Sequence, residues 1–310
     1  MAASEHSLIA VICGPTAAGK SAIALWLAQR QPTTIIVADS RQIYRHFDVG
    51  TAKPTPHERA ATQHRGIDLI EPTERYSAAA WAAAADEWID EAHAEGRVPL
   101  IVGGTGFYLR ALFDPLFEEP AHEPTRRADL EKTLSGLSLA ELKRWTAVLD
   151  PERAHLGRTQ LLRAIEVAIL SGHRLSGLHR AQARSAKRTA RYLVVDPGPL
   201  LVDRIAARLD AMLAGGWVDE VRRLIESVPE EAPAWNATGY KAIGDYVRGT
   251  LDLDEARGMI LIATRQYAKR QRTWLRNQLS ESDVTQLNPL DSGWLTVAEK
   301  WLSDTMRRSA

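Results

Sequence analysis

Eight consecutive residues, Gly14-Pro15-Thr16-Ala17-Ala18-Gly19-Lys20-Ser21, match the phosphate-loop pattern G-x-x-x-x-G-K-[ST] in full. The glycines let backbone N–H groups close on phosphate oxygens, and the helix that follows adds partial positive charge. Lys20 reaches a phosphate and Ser21 can ligate Mg²⁺. Such a loop binds phosphates without saying which molecule carries them. A nucleotide hydrolase would also need a hydrophobic strand ending in an acid that holds magnesium. Here the apolar run 98–102 ends in Gly103-Gly104-Thr105-Gly106, while Asp39 closes a different run, 35–38. Asp39 could hold magnesium through water or accept a proton from a nucleophile, and the motif alone leaves both open. Arg204 and Arg208 stand four residues apart and share one face of a predicted helix, where surface pairing with Asp203 or Asp210 is the simpler use.

These groups need a frame that brings loop ends together. Short apolar runs alternate with helical patterns over the first third, as in parallel α/β folds. Residues 8–13 predict a first strand, with a helix from 20 to about 30. Residues 35–38 predict a second strand, the Ala-rich stretch 77–95 a helix, and 98–102 a third strand. Ligands in such sheets bind at the carboxyl ends of strands, where the phosphate loop, Asp39 and Thr105 all fall. From 115 to 191 strand patterns vanish and Leu and Arg recur at helical spacing, which predicts a helical insertion domain. Residues 192–195 predict a return strand, followed by helices over about 200–214, 219–227 and 255–278. The expected architecture is an α/β, P-loop NTPase-like core of residues 1–114 and 192–310, its central parallel sheet flanked by helices, with the insertion 115–191 between. The last thirty residues carry little chemical information.

The 310 residues are 45% hydrophobic and 25% charged, which suits a sizeable folded core. Lys plus Arg equals Asp plus Glu at 39 each, so net charge points to no polyanion. The distribution is more telling: Arg174, Arg180, Arg184, Lys187, Arg188 and Arg191 lie between 173 and 191 with no acid among them, either a phosphate-facing patch or a solvated face. Cys13 is the single cysteine, so a disulfide framework and a cysteine-based zinc site are excluded within one chain, and a reducing, cytoplasmic setting is expected. The first fourteen residues lack a basic n-region and lead straight into the glycine loop, the pattern of a strand and not of a signal peptide. No apolar stretch approaches the roughly 18 residues of a membrane span, so no membrane partner is expected.

The blocks GPTAAGKS, ADSRQIYRHFDVGTAKP, HRGIDLIEPTERYS, PLIVGGTGFYLRAL, RAIEV, RIAARLDAMLAGGWVDEV, TGYKAI and TRQYAKRQRTWLR occur in that order. Together, from about residue 8 to about 278, they closely resemble the bacterial tRNA dimethylallyltransferases. The resemblance implies prenyl transfer from dimethylallyl pyrophosphate, with magnesium, to N6 of the adenosine 3′-adjacent to the anticodon, position 37, of tRNAs reading codons that begin with U. It makes the loop a holder of an isoprenoid diphosphate, Asp39 the general base and Thr105 a hydrogen-bonding partner near the reacting groups. It makes Arg208 a ligand of the leaving group, a role for which a forked guanidinium is well shaped. It implies tRNA contacts from Asp39, Ser40, Arg41 and Gln42, from Thr105 and Arg127, from Thr159, Gln160, Leu161, Leu162 and Arg163, and from Asn236, Ala237, Thr238, Gly239, Tyr240 and Lys241. A monomer is expected. Where many members carry I-H-P-N-D, this chain has His155-Leu156-Gly157-Arg158-Thr159, shorter and more basic.

On the predicted long helix Arg265, Lys269, Arg272 and Arg276 form a basic stripe opposite Ile260, Tyr267 and Trp274, as RNA contact or ordinary amphipathicity would produce. Three other uses of the loop stay open: a small-molecule kinase with an arginine-rich lid, a nucleotide-dependent RNA-binding switch, and a prenyltransferase acting on free adenine nucleotides.

Overall fold

A computed structural model describes residues 7–114, 124–181 and 188–309. The described residues fall into two compact units, one from 1–113 and 186–310, the other from 114–185.

The first unit holds a six-stranded sheet among the described residues: β1 (Ser7–Cys13), β2 (Thr33–Ala38), β3 (Gln63–Arg65), β4 (Val98–Gly103), β5 (Arg188–Val195) and β6 (Val284–Leu287), in the order β3-β2-β4-β1-β5-β6. Every pairing is parallel. The Val- and Ile-rich runs of β1, β2 and β4 suit strands covered on both faces. Helices α1 (Lys20–Ala28), α2 (Pro56–Ala61), α3 (Ala78–Ala94) and α4 (Gly106–Phe113) belong to this unit.

The second unit is helical: α5 (Pro124–Ser135), α6 (Leu139–Leu149), α7 (Arg158–Ser171) and α8 (Leu175–Ala181). Leu134, Leu142, Leu161 and Ile165 form its small core.

After β5 the first unit resumes with α9 (Leu201–Ala214), α10 (Trp217–Ser227), α11 (Tyr240–Val247), α12 (Leu253–Gln278) and α13 (Trp294–Ser309). The start of α12 is fixed by a capping box, in which Asp252 accepts from the Glu255 N–H and Glu255 accepts from the Asp252 N–H. No helix among the described residues is long and apolar enough to cross a membrane.

Two expectations change. β5 begins at Arg188 and not at 192, so Arg188 and Arg191 are strand residues of the sheet. Arg188 is buried, with Nε 2.6 Å from Asp86 and Nη2 2.7 Å from Asp90 on α3, and the expected basic patch loses it to an internal ion pair. Arg180 is likewise taken by Glu152 within the helical unit, and Arg184 and Lys187 lie outside the described residues. The C-terminal stretch is structural: β6 extends the sheet, and Ala298, Trp301 and Leu302 of α13 pack into the main core with Ile12 and Leu27.

Candidate active site at the phosphate loop

Register fixes the site. Cys13 lies beside Gly103 on one flank and Val194 on the other, and Ala38 lies beside Gly103, so the loops after β1, β2 and β4 leave one edge of the sheet together. The phosphate loop turns at Gly14, with φ +152°, and a Cβ there would stand 2.2 Å from the Val195 carbonyl oxygen. Only glycine fits so close to the end of a neighbouring strand. Gly19, at φ +100°, is the N-cap of α1 and leads Lys20 into its first turn.

Three cations converge on this loop with no carboxylate paired to them among the described residues. Lys20 Nζ donates to the Pro15 carbonyl at 2.8 Å, Arg204 Nε to the Ala17 carbonyl at 3.0 Å, and Arg208 Nη1 to Thr16 Oγ1 at 2.9 Å. Burial and the nearby Arg208 charge pull the Lys20 ammonium down to about 8, against the opposing pull of Asp39. Burial also lowers the Arg208 guanidinium, again against Asp39. Both shifts mark positive charge that lacks enough negative charge around it. Cys13, at the end of β1 below the loop, is pushed up to about 12 by burial and is no nucleophile.

Asp39 and Thr105 leave the adjacent ends of β2 and β4. Asp39 Oδ1 accepts the Arg41 N–H at 2.8 Å, and Thr105 Oγ1 accepts the Ser40 N–H at 3.1 Å. The Thr105 N–H donates to Ala38 at 3.2 Å, which extends the strand pairing into the loops. Tyr267 on α12 stands beside Thr105, and burial and the Asp39 charge push its phenol up to about 12.

Two cavities meet here. A large one, about 630 Å³, runs along Thr16, Ala17, Gly19, Lys20 and Ser21 and past Asp39, Gln42 and Arg208. A small one of about 90 Å³ has an apolar wall of Ile205, Leu209, Met212, Trp217 and Ile260, with Arg41, Ala237 and Thr238 beside it. Thr16, Ala17, Asp39, Arg208 and Tyr267 line both.

The expected site residues thus divide. The phosphate loop, Asp39, Thr105, Arg208, Ala237 and Thr238 come together in one unit. Gln42 lines the large cavity while its Nε2 donates to the Thr51 and Ala52 carbonyls, at 3.0 and 3.1 Å. Asn236 and Lys241 are exposed near the start of α11. Tyr240 offers no surface: it is fully buried, and its hydroxyl donates to Glu220 at 2.6 Å. That carboxylate also accepts the Asp48 and Val49 N–H groups, at 3.0 and 2.7 Å, so Tyr240 helps to fasten a loop.

Arg127 and the 159–163 stretch belong to the helical unit. Thr159 and Gln160 are exposed in the first turn of α7, but Leu161 is buried in the unit's core with Leu162 packed against it. Arg127 and Arg163 both pair with Glu166, which is buried. In the basic stripe, Arg265, Lys269 and Arg276 are exposed, whereas Arg272 grips Asp196 through Nε at 2.8 Å and the Gly198 carbonyl at 2.7 Å.

Sequence reasoning missed Gln271 and treated Tyr267 as part of an apolar stripe. The signal was present, since Gln271 is a polar residue four positions after Tyr267 on a face otherwise carrying Ile260 and Ala268.

A family model described as IPP transferase matches residues 42–278, and one described as isopentenyl transferase matches residues 7–70. A tRNA dimethylallyltransferase of Anaeromyxobacter sp. (strain K) is 44% identical over 276 residues, 87% of this chain and 90% of the relative. One of Bordetella petrii is 42% identical over 286 residues, 89% of this chain and 91% of the relative. The full-length tRNA isopentenylpyrophosphate transferase structure from Bacillus halodurans superposes with a TM-score of 0.68 at 29% identity, over 98% of each chain. With the phosphate loop, the parallel sheet and these likenesses in agreement, the chain belongs to the IPP transferase family, that of the tRNA dimethylallyltransferases.

Proposed function

We propose that this chain transfers a dimethylallyl group from dimethylallyl pyrophosphate to N6 of adenosine 37, the nucleoside 3′-adjacent to the anticodon, in tRNAs reading codons that begin with U. The products are N6-dimethylallyladenosine and pyrophosphate. One observation carries the reading: the cavity along the phosphate loop and the cavity by Ala237 and Thr238 share Asp39 and Arg208, so a diphosphate in one and an amine from the other meet at a base and a cation.

In this reading the donor's allylic C–O bond breaks and its electron pair stays on the diphosphate. Lys20, Arg208 and the loop amides face the charge that develops there, in a site where burial strengthens each contact. The N6 lone pair forms the new C–N bond, and the N6 proton passes to Asp39, a carboxylate held by the Arg41 N–H. Thr105 and Tyr267 fix the neighbouring wall.

Ser21 lines the large cavity beside Lys20, and no cluster of three His, Cys, Asp or Glu side chains stands together among the described residues. That donor set fits Mg²⁺, which is commonly held by one or two protein oxygens, water and substrate phosphates. When bound it would neutralise charge on the diphosphate.

On the acceptor side, Asp39, Ser40, Arg41, Gln42, Thr105, Asn236, Ala237, Thr238, Gly239 and Lys241 would meet the anticodon loop, whose bases are cheap to unstack, with Tyr240 buried behind them. The 114–185 unit would add Arg127, Arg163 and the exposed start of α7. The chain is read as a cytoplasmic monomer.

Mass spectrometry of anticodon-loop nucleosides, after incubation of the protein with unmodified tRNA and dimethylallyl pyrophosphate, tests the reading. The expected product is N6-dimethylallyladenosine at position 37. Label arriving only from the γ-phosphate of ATP would support a kinase instead, and prenylation of free adenine nucleotides with tRNA untouched would replace the acceptor.

A further inference from the structure

Three residues on one face of α12, spaced i, i+4 and i+7, meet three consecutive residues of the loop after β4. Tyr267 stands beside Thr105, and Gln271 Nε2 donates to the Gly104 carbonyl at 2.9 Å. Trp274 packs so closely on Gly106 that a Cβ there would stand 2.2 Å from its ring. Of the three, Gln271 also reaches across to the phosphate loop, where its Oε1 accepts the Thr16 N–H at 2.8 Å. Its side chain is buried, and a Cβ on Gly104 would fall 2.2 Å from Nε2 and 3.0 Å from the Gly14 carbonyl oxygen. The two loops therefore touch through this amide with no room for another side chain.

We propose that Gln271 is a positioning residue for the transfer reaction, a single amide that sets the gap between the diphosphate cradle and the Thr105–Asp39 loops. This rests on the reading given under Proposed function.

The chemistry of the two partners dictates the residue. The Thr16 N–H can only donate and the Gly104 carbonyl can only accept, so the bridge must accept at one end and donate at the other. An ionised carboxylate of the same length accepts at both ends, and an alkyl chain does neither. Leaving group and base act from opposite sides of one reacting carbon and nitrogen, so a loop shift of about 1 Å can cost on the order of 100-fold in rate. The helix that carries Gln271 is itself held on its other side, where the adjacent Arg272 is bonded to Asp196 and the Gly198 carbonyl. The defect should therefore appear in the chemical step more than in donor capture, because Lys20 and Arg204 hold the Pro15 and Ala17 carbonyls, and Arg208 alone shares a partner residue, Thr16, with the amide.

The test uses the full chain, saturating dimethylallyl pyrophosphate and an unmodified anticodon stem-loop. Gln271→Leu is expected to lower kcat by about 100-fold, with pyrophosphate affinity by calorimetry kept within about threefold. Gln271→Glu supplies a reading that general damage would not produce. Its protonated carboxyl donates to Gly104 and accepts from Thr16 as the amide does, so its rate relative to the unmodified chain should rise as pH falls. The same ratio for Gln271→Leu should stay flat. Near-normal kcat in both variants would overturn the proposal. So would a parallel loss of kcat and pyrophosphate affinity, with lowered unfolding temperature and no recovery of the Glu variant in acid. If the unmodified chain makes no prenylated product, the functional reading falls and takes this inference with it; transfer by that chain with indifferent variants removes the inference alone.

Discussion

Around the phosphate loop, Lys20, Arg204 and Arg208 rest on carbonyl and hydroxyl oxygens, whereas in the helical unit Arg127 and Arg163 rest on the carboxylate of Glu166. The two regions use the same residue types for different ends. A neutral oxygen orients a cation and leaves its charge unspent, available to an incoming anion. A buried carboxylate cancels the charge and fixes one helix against another. The partner, and not the local density of arginines, marks where a diphosphate belongs. Arg188 makes the point within the sheet, since it sits in the most basic stretch of the sequence and is wholly used by Asp86 and Asp90.

The sharpest break of this comparison comes from Asp39, a carboxylate placed among the loop's cations. Asp39→Ala should lower the transfer rate by roughly 10²–10⁴-fold, the usual worth of a general base, while tRNA binding in a filter assay stays close to normal. Unchanged turnover would turn Asp39 into mere counter-charge. Next in size is Arg208→Ala. Loss of a charge-assisted contact of about 1.5–3 kcal/mol should weaken pyrophosphate binding by roughly 10- to 100-fold, read by calorimetry. An unaffected affinity would put Arg208 with the structural arginines.

Lys20 sharpens the contrast through pH. Held down to about 8, its ammonium is largely charged at neutral pH and is lost as pH climbs. A bound diphosphate favours the charged form, so the complex keeps the proton to higher pH and binding takes one up. Donor affinity should therefore fall above about pH 8 by up to about tenfold per pH unit, and a flat profile to about pH 10 would count against an uncancelled ammonium. The smallest effect is expected from Glu166→Gln. Removing the shared acid takes one negative charge from beside Arg127 and Arg163, so tRNA binding should tighten by about two- to threefold and steepen with salt by about one counterion. Binding and salt slope that do not change would show that these arginines do not face RNA.

What the sequence disclosed follows from how local each feature is. The phosphate loop is contiguous, and its backbone demands are written in two glycines and a lysine. β1, β2 and β4 are buried on both faces and so appear as continuous apolar runs. β3 is three polar residues long and β6 four residues of mixed character, too short for any periodicity to emerge, and both exist because the sheet offers an open edge. Arg188 looked like surface because its partners on α3 stand about a hundred residues earlier. Tyr240 and Leu161, expected at an RNA surface, are buried by neighbours that no local pattern reveals. Gln271 was overlooked for the converse reason: it shares a face with Ile260 and Ala268, but in a helix crowded with arginine and lysine one more polar residue does not stand out.

The supports of the phosphate loop have a consequence for how the chain is made. Its own residues leave the ribosome first, yet Gly14 is shaped against Val195, and the loop's polar partners are Arg204, Arg208 and Gln271. A nascent chain halted before residue 195 therefore carries the complete signature of a diphosphate site without the strand end and the arginines that hold its shape. Domains emerge and fold in order during synthesis; here the earliest motif is among the last to mature, so truncated translation products should be unable to sequester the donor.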